Sequence, residues 1–329
     1  MSVKLAIVIV NWNGGELLRR CLASVEQFPP NLAYEIVVVD NASTDGSREW
    51  LESLRNRVRL IKNETNLGFG RAANQALTLT KAEIVLLINP DAEVPPGAID
   101  TLIATLLSDN RIGACGPRIL NADGSVQVSV WHNPARAWQI LLSQMKLYLL
   151  LPQPLRGELL LGWHWKHDRK RTVPMLSGAA IMARREMIEE VGGFDERFHM
   201  YGEDNEWCWR VTRAGWQLVF EPAVTIVHHG GQSVQQRWTD AERLRIQLDA
   251  EYSFQEQVLP RWRLVVNQLA NYFVDSVQKG WRRIRGIHHP RIELKTRIHG
   301  EQLRRSLGIG PAKTRTPRPK SESDPRPIK

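Results

Sequence analysis

The chain has 329 residues, 43% of them hydrophobic, and a formal net charge of +9. That content can bury one large core or two small ones, and no run of about 18–20 apolar residues exists to span a bilayer as a helix. The charge is confined to one end: residues 251–329 hold 17 Lys/Arg against 7 Asp/Glu, whereas residues 1–250 hold 27 against 28, so a basic appendage follows a nearly neutral body.

Leu5–Val10 is a continuous apolar run with Lys4 as the only charge before it. Lacking a basic n-region and a small-residue cleavage site, it predicts a strand buried on both faces rather than a signal peptide. Gly14-Gly15 break the run, and Glu16–Gln27 places Leu17, Leu18, Cys21, Leu22 and Val25 at helical spacing. Ile36–Val39 is a second buried strand, ending in Asp40-Asn41-Ala42-Ser43. A strand at Val58–Ile61, a helix at Gly70–Leu79 and a strand at Ile84–Ile88 follow, and then the turn Asn89-Pro90-Asp91. Pro95-Pro96 opens a helix through about Leu107. This alternation predicts an α/β fold with an open, mostly parallel central sheet flanked by helices. Ligands in such sheets bind beyond the carboxyl ends of the strands, where Asn11, Asp40 and Asp91 stand.

Residues 126–172 are less regular. Ala137–Leu151 is apolar, with Trp163-His164-Trp165-Lys166-His167 and Arg169-Lys170-Arg171 soon after; an amphipathic core helix and a segment lying on an anionic lipid surface both fit. A strand is expected at Met175–Ala183, a helix at Arg184–Val191, a helix from Asp204 to Arg213, and strands at Trp216–Phe220 and Val224–Val227. From about 240 the chain is helical, with Trp262, Leu264, Val265, Leu269, Phe273, Val277, Trp281 and Ile284 interleaved with arginine. The Pro/Lys/Arg/Ser-rich tail cannot bury a core and reads as disordered. The resulting domains are 1–240, divided into nucleotide-binding (1–120) and acceptor (121–240) halves, then a basic helical extension at 241–310 and a tail at 311–329. Cys21, Cys115 and Cys208 lie far apart and fit reduced, buried thiols of a cytoplasmic protein.

Five carboxylates crowd one stretch: Asp195, Glu196, Glu203, Asp204 and Glu206. Like charges so close raise the energy of the ionised state unless a cation, a donor or a retained proton offsets them, which makes this the leading candidate for acid/base work. A solvated loop followed by a helix N-terminus is the plainer reading. Asp40, after a buried strand, suits the ring N–H of a pyrimidine base, although an Asp there also serves as a turn residue. Gly68-Phe69-Gly70-Arg71 before a helix suits an anion such as phosphate, but the Lys-Ser/Thr of a Walker loop is absent. Asp91, with Asn89 as a neutral neighbour, suits Mg²⁺ or Mn²⁺. His228 or His229 would add a nitrogen ligand, which favours Mn²⁺.

Taken in order, several short motifs resemble family 2 glycosyltransferases of GT-A fold, in particular their bacterial rhamnosyltransferase-like branch. In the first half these are Val10-Asn11-Trp12-Asn13-Gly14, Val39-Asp40-Asn41-Ala42-Ser43-Thr44-Asp45-Gly46-Ser47, Asn66-x-Gly68-Phe69-Gly70-x-x-x-Asn74 and Asn89-Pro90-Asp91. In the second they are Ser177-Gly178-Ala179, Gly192-Gly193-Phe194-Asp195-Glu196, Glu203-Asp204-x-Glu206-Trp207-Cys208-x-Arg210 and His228-x-x-Gly231-x-Ser233. They span residues 3–235 and leave the C-terminal 80 uncovered.

The resemblance implies inverting transfer of a sugar, L-rhamnose from dTDP-rhamnose, to a hydroxyl of a glycan or lipid-linked acceptor in cell-surface polysaccharide synthesis. It implies Asp204 as general base and Asp91 and His228 at a divalent cation. Asn11, Asn13, Asp40, Asn41, Ser43, Gly68, Arg71 and Asn89 fall to the nucleotide sugar, and Asp195, Glu196 and Glu203 to acceptor or sugar. Glu206 reads as dipole support. Asn89 stands where many relatives carry a first Asp, so a weaker metal site is expected. The competing classes are a sugar nucleotidyltransferase and a non-catalytic carbohydrate-binding protein. Aromatic residues among the C-terminal arginines fit peripheral contact with an anionic membrane, on the cytoplasmic face of an inner membrane, better than nucleic acid. Packing of those helices onto the catalytic domain is the plainer alternative.

Overall fold

A computed structural model describes residues 3–230 and 238–309. The Gly231 and Ser233 of one motif, and the tail at 311–329, lie outside the described residues. The chain divides into two compact units, Met1–Ala135 with Lys146–Thr239, and Arg136–Met145 with Asp240 onward.

The first unit is a mixed sheet flanked by helices. Its N-terminal part is β1 (Leu5–Asn11), α1 (Gly15–Gln27), β2 (Tyr34–Asn41), α2 (Ser47–Ser53), β3 (Arg59–Asn63), α3 (Phe69–Leu79) and β4 (Ile84–Ile88). After it come β5 (Ala92–Glu93), α4 (Ala98–Leu107), β6 (Ile112–Leu120) and β7 (Val126–Gln127). The helix α5 (Ala137–Gln144) belongs to the second unit. The first unit resumes with α6 (Gln153–Leu160), β8 (Arg171–Val173), β9 (Ala180–Arg184), α7 (Arg185–Val191), α8 (Glu203–Arg213) and β10 (Gln217–His228).

The strand order is β3-β2-β1-β4-β9-β6-β10-β5, with β7 on β6 and β8 on β10. The expected parallel sheet is the β3-β2-β1-β4 half, with Leu5 opposite Tyr34 and Ile84. Beyond it β9 runs antiparallel between β4 and β6, while β6 and β10 are parallel to each other. In β1, Leu5, Ile7 and Ile9 enter one core with Leu18 and Leu22 of α1, and Ala6, Val8 and Val10 enter the other with Ala72 and Ala76 of α3. Successive side chains of a strand point to opposite faces, so two covered faces produce the unbroken apolar run seen in the sequence. Cys21, Cys115 and Cys208 are free and buried.

Two departures have physical causes. Sequence patterning passes over β6 because Gly113, Gly116 and Pro117 interrupt it. A Cβ at Gly113 would stand 2.8 Å from Met187 Cγ, so this strand is glycine-bearing where α7 crosses it. Pro117 lies opposite Glu221, where β10 bulges between Glu221 and Thr225. A missing ladder donor is tolerated at such a bulge, and the same bulge makes one strand, Gln217–His228, read as two. The 137–151 stretch is no single helix either, since α5 ends at Gln144 and Lys146 turns left-handed with φ 60°.

In the second unit, α5 packs with α10 (Arg261–Ile284), which follows α9 (Asp240–Val258) and precedes α11 (Pro290–Ser306). Among the described residues no helix is long and apolar enough to cross a membrane.

Candidate active site

The strand ends of β1 and β2 are tied by polar side chains. Asn11 Nδ2 donates to Ser43 Oγ at 3.0 Å and to Asp40 Oδ1 at 3.3 Å, and the Asn11 Oδ1 accepts from Gly14 N. Asn13 donates its backbone N–H to Ser43 Oγ and accepts from Thr44 N at 2.7 Å. Asp40 is fully buried, and its Oδ2 accepts from Arg48 Nε at 2.8 Å and from Ser43 N at 3.3 Å. Arg48 also donates to Asn63 O. Asn41 is equally engaged, donating to Asn66 Oδ1 and Gly68 O and accepting from Asn63 Nδ2 and Leu67 N. Thus Asn11, Asp40 and Asn41 brace the loops, while Asn13 and Ser43 keep partial exposure at their surface. Arg48 was missed because nothing in its local pattern announces a partner eight residues back.

Gly68 and Arg71 turn out to face the acidic loop. Gly68 has φ 87°, and a Cβ there would stand 2.4 Å from His199 O, so a side chain is excluded twice over. Arg71 Nε donates to Glu196 Oε2 at 2.9 Å. Asn74 clamps the same loop, accepting from Phe194 N at 2.8 Å and donating to Phe194 O at 2.9 Å. Phe194 in turn meets Phe69 edge-on and Trp207 at a tilt, with ring centroids 5.5 and 5.3 Å away. Arg71, which the sequence assigned to a phosphate, is joined to Glu196 in this structure.

The five carboxylates separate into two kinds. Asp195 is gripped by Arg197, whose Nε lies 2.9 Å from both carboxylate oxygens. Glu206 is buried and takes Arg210 at 2.6 and 2.9 Å, and Arg210 reaches on to Gly193 O and Val191 O. Glu206 is thus a buried brace for the loop, more than the dipole support its position suggested, and the i,i+4 spacing to Arg210 is the sequence signal that would have found it. Glu203 and Asp204 open α8 without a Lys or Arg partner among the described residues. Asp204 accepts from Gly178 N at 3.1 Å and Asn205 N at 2.8 Å and remains partly exposed. Burial raises its pKa, and those backbone donors oppose the rise. Glu203 is buried with Oε2 unbonded; burial and the neighbouring Asp204 charge push it up to about 8. The backbone donors on Asp204 and the unbonded Glu203 Oε2 favour the proton on Glu203 and the charge on Asp204.

At the far end of the sheet, β5 pairs with β10 and sets Ala92 opposite His228. His228 Nε2 lies 3.1 Å from Asp91 Oδ1 and 3.1 Å from Asn89 Nδ2. Its Nδ1 is 2.7 Å from Gln127 Oε1, an atom that only accepts, and Gln127 Nε2 is held by Asn121 Oδ1 at 3.0 Å. In the neutral ring the proton is thus on Nδ1, and the Nε2 lone pair converges with Asp91 Oδ1. Asn89 Nδ2 donates to that lone pair, and an imidazole nitrogen beside a carboxylate oxygen is a donor set that fits a divalent cation. His229 points to Glu93 instead, at 2.6 Å. Gln127 escaped the sequence reading because it lies 101 residues from its partner. Ser177-Gly178-Ala179 links the two centres: Asn89 N donates to Ala179 O at 3.0 Å, and the adjacent Gly178 N to Asp204.

Residues 6–192 match Glycosyl transferase family 2. The chain belongs to this family. Residues 169–252, which contain Asp204 and His228, also match Glycosyl transferase family 21. The glycosyltransferase is 31% identical over 259 residues to the N-acetylglucosaminyl-diphospho-decaprenol L-rhamnosyltransferase of Mycobacterium tuberculosis, covering 71% of this chain and 78% of that one. It is 25% identical over 301 residues to the low-salt glycan biosynthesis hexosyltransferase Agl10 of Haloferax volcanii, covering 88% and 86%. Among solved structures it resembles the mannosyltransferase PcManGT of Pyrobaculum calidifontis in complex with GDP-Man and Mn²⁺ (TM-score 0.54, 16% identity, 94% and 87% covered), a likeness of fold. The protein is therefore an enzyme, a glycosyltransferase of GT-A fold, and the nucleotidyltransferase and binding-protein readings fall away.

Proposed function

We propose that the enzyme transfers L-rhamnose from dTDP-L-rhamnose, with inversion, to a hydroxyl of a lipid-linked glycan acceptor in cell-surface polysaccharide synthesis. The observation that carries the reaction type is the state of Asp204, a partly exposed carboxylate fixed by two backbone N–H groups with no Lys or Arg among the described residues to quench it. Asp204 takes the acceptor hydroxyl proton. The hydroxyl oxygen then bonds to the anomeric carbon from the face opposite the departing phosphate oxygen, which leaves with the bonding electron pair. Such a base contributes about 10²–10⁴-fold. Glu203 keeps its own proton and leaves the charge on Asp204, while Asp195 and Glu196, held by Arg197 and Arg71, border the acceptor.

The donor nucleotide lies against the β1 and β2 loops, where Asn13 and Ser43 meet it and Asn11, Asp40, Asn41 and Gly68 shape its bed. Asp91 and His228 fit a divalent cation, with the nitrogen favouring Mn²⁺ over Mg²⁺. When bound it would neutralise charge on the departing diphosphate. Among the described residues no group of three or more His, Cys, Asp or Glu gathers, which accords with a site completed by substrate phosphates. The rhamnosyl donor rests on the likeness to the mycobacterial enzyme. That relative's named acceptor is also the model for a lipid-linked one here, met by a cytoplasmic protein in peripheral contact with an anionic membrane.

The test is a panel of nucleotide sugars with a polyprenyl-diphosphate-linked acceptor and Mn²⁺, reading the anomeric configuration of the product by NMR. Transfer of rhamnose with inversion is expected; transfer from another sugar nucleotide alone would replace the donor, and a retained configuration would remove the Asp204 mechanism.

A further inference from the structure

α10 buries Leu264, Ala270 and Val274 on the side it presents to its own unit, together with the polar Asn267, Gln268, Asn271 and Asp275. Asp275 Oδ2 is 2.7 Å from His299 Nδ1, and Oδ1 is 3.4 Å from Lys295 Nζ. Gln278 donates to Gln144 O at 3.2 Å. The opposite side is apolar and bare: Trp262 is 69% exposed, Phe273 54%, Trp281 61% and Ile284 82%. Val266, Leu269 and Val277 continue the stripe between them, each also exposed. These seven positions advance by three or four residues, the helical period, so they share one face about 33 Å long.

An apolar face of this extent marks an interaction surface, and the charges around it select the partner. From Arg261 to Arg285 the basic residues are Arg261, Arg263, Lys279, Arg282, Arg283 and Arg285, and the single acid, Asp275, is buried against His299 and Lys295. A second copy brought face to face would set cations against cations, whereas an anionic headgroup layer complements them. Trp262 and Trp281 lie near the two ends, and amphipathic indole rings favour the headgroup level. The polar residues on the buried side rule out a span, since among the described residues no helix is apolar enough to cross. They also lock the helix in rotation, so the apolar face cannot turn inward without breaking the Asp275–His299 and Gln278–Gln144 contacts.

We propose that α10 lies in the plane of an anionic bilayer, with its 262–284 face at the boundary between headgroups and acyl chains. For its purpose this rests on the lipid-linked acceptor proposed above; the surface itself rests on α10 alone. The test is flotation of the full chain with vesicles of phosphatidylcholine, alone or with about one-third phosphatidylglycerol. Binding to the anionic vesicles that falls as salt rises is expected. Replacing Lys279, Arg282 and Arg283 by Gln should lower partitioning roughly a hundredfold, at about fivefold per cation. The combined variant Trp262→Ser, Phe273→Ser, Trp281→Ser should lower it at least about tenfold.

Trp262, Phe273, Trp281 and Arg283 are exposed and Lys279 and Arg282 partly exposed, so circular dichroism and acceptor-free donor hydrolysis should match the parent. Equal partitioning of parent and variants, absence of binding to anionic vesicles, or a dimer that the Ser variant splits would each overturn the proposal, the last in favour of a second copy. Vesicle binding without transfer to a lipid-linked acceptor would sustain the surface and overturn the acceptor.

Discussion

The loop Gly192–Arg197 and the first turn of α8 carry carboxylates of the same chemical type, treated in opposite ways. In the loop, Asp195 has Arg197 and Glu196 has Arg71, and behind it Glu206 has Arg210. In the first turn, Glu203 and Asp204 have backbone donors, pKa values raised by burial and, among the described residues, no cation. A guanidinium satisfies a carboxylate and lowers its basicity, which suits a brace. A carboxylate left to amides and burial keeps its appetite for protons, which suits a base. The arginines, more than the density of acids, show where chemistry belongs.

The strongest way to break this contrast is Asp204→Asn. Loss of the base should lower kcat by about 10²–10⁴-fold with little change in donor KM, measured by steady-state transfer, while the melting temperature holds. Undiminished turnover would shift the base elsewhere. The paired side should respond in the reverse sense. Glu206→Ala strands Arg210 beneath the loop and should cost about 3 kcal/mol in urea unfolding, near the low end for a broken buried pair because Arg210 is partly exposed. Folded molecules of that variant should keep most of their donor hydrolysis.

Glu203 sharpens the comparison through pH. Its pKa rises from 4.5 to about 8, so the folded protein holds a proton that the unfolded chain has released between those values. Stability should accordingly decline as pH rises from about 4.5 to 8. Glu203→Gln, neutral throughout, should remove a slope of up to about 5 kcal/mol across that window. Unfolding curves at a series of pH values measure it, and an unchanged slope would mean that Glu203 ionises freely.

How much of this was legible follows from range. The parallel half of the sheet could be read because burial on both faces leaves β1, β2 and β4 as apolar runs. Asp204 and Asp91 stood out as acids at element ends. The contacts that assign their roles were not legible. Arg48 beneath Asp40, Asn74 on Phe194 and Gln127 on His228 are tertiary choices, and two of those pairs span more than 100 residues. β6 hid behind its glycines and Pro117. In α10 the apolar period was plain, but which way it faced depended on Asn267, Asn271 and Asp275, polar residues of the same period whose burial no local rule foretells.

The smallest effect concerns Arg71, which sequence reasoning gives to a phosphate and the structure joins to Glu196. Both partners are about half exposed, at 50% and 47% of their side chains. Such a pair contributes less than about 1 kcal/mol, so Arg71→Ala should barely move the unfolding midpoint. Kinetics separates the two roles. If Arg71 poises the loop that borders the acceptor, its loss raises acceptor KM and leaves donor KM alone. If it leaves Glu196 to grip the diphosphate, donor KM rises by about tenfold, the value of a charge-assisted contact of roughly 1.4 kcal/mol. The single bond from Arg71 Nε to Glu196 Oε2, at 2.9 Å, together with the Asn74 clamp one turn along the same helix face, favours the first outcome. It would place Arg71 with Arg197 and Arg210 among the arginines that hold the loop, and leave Glu203 and Asp204 as the pair without one among the described residues.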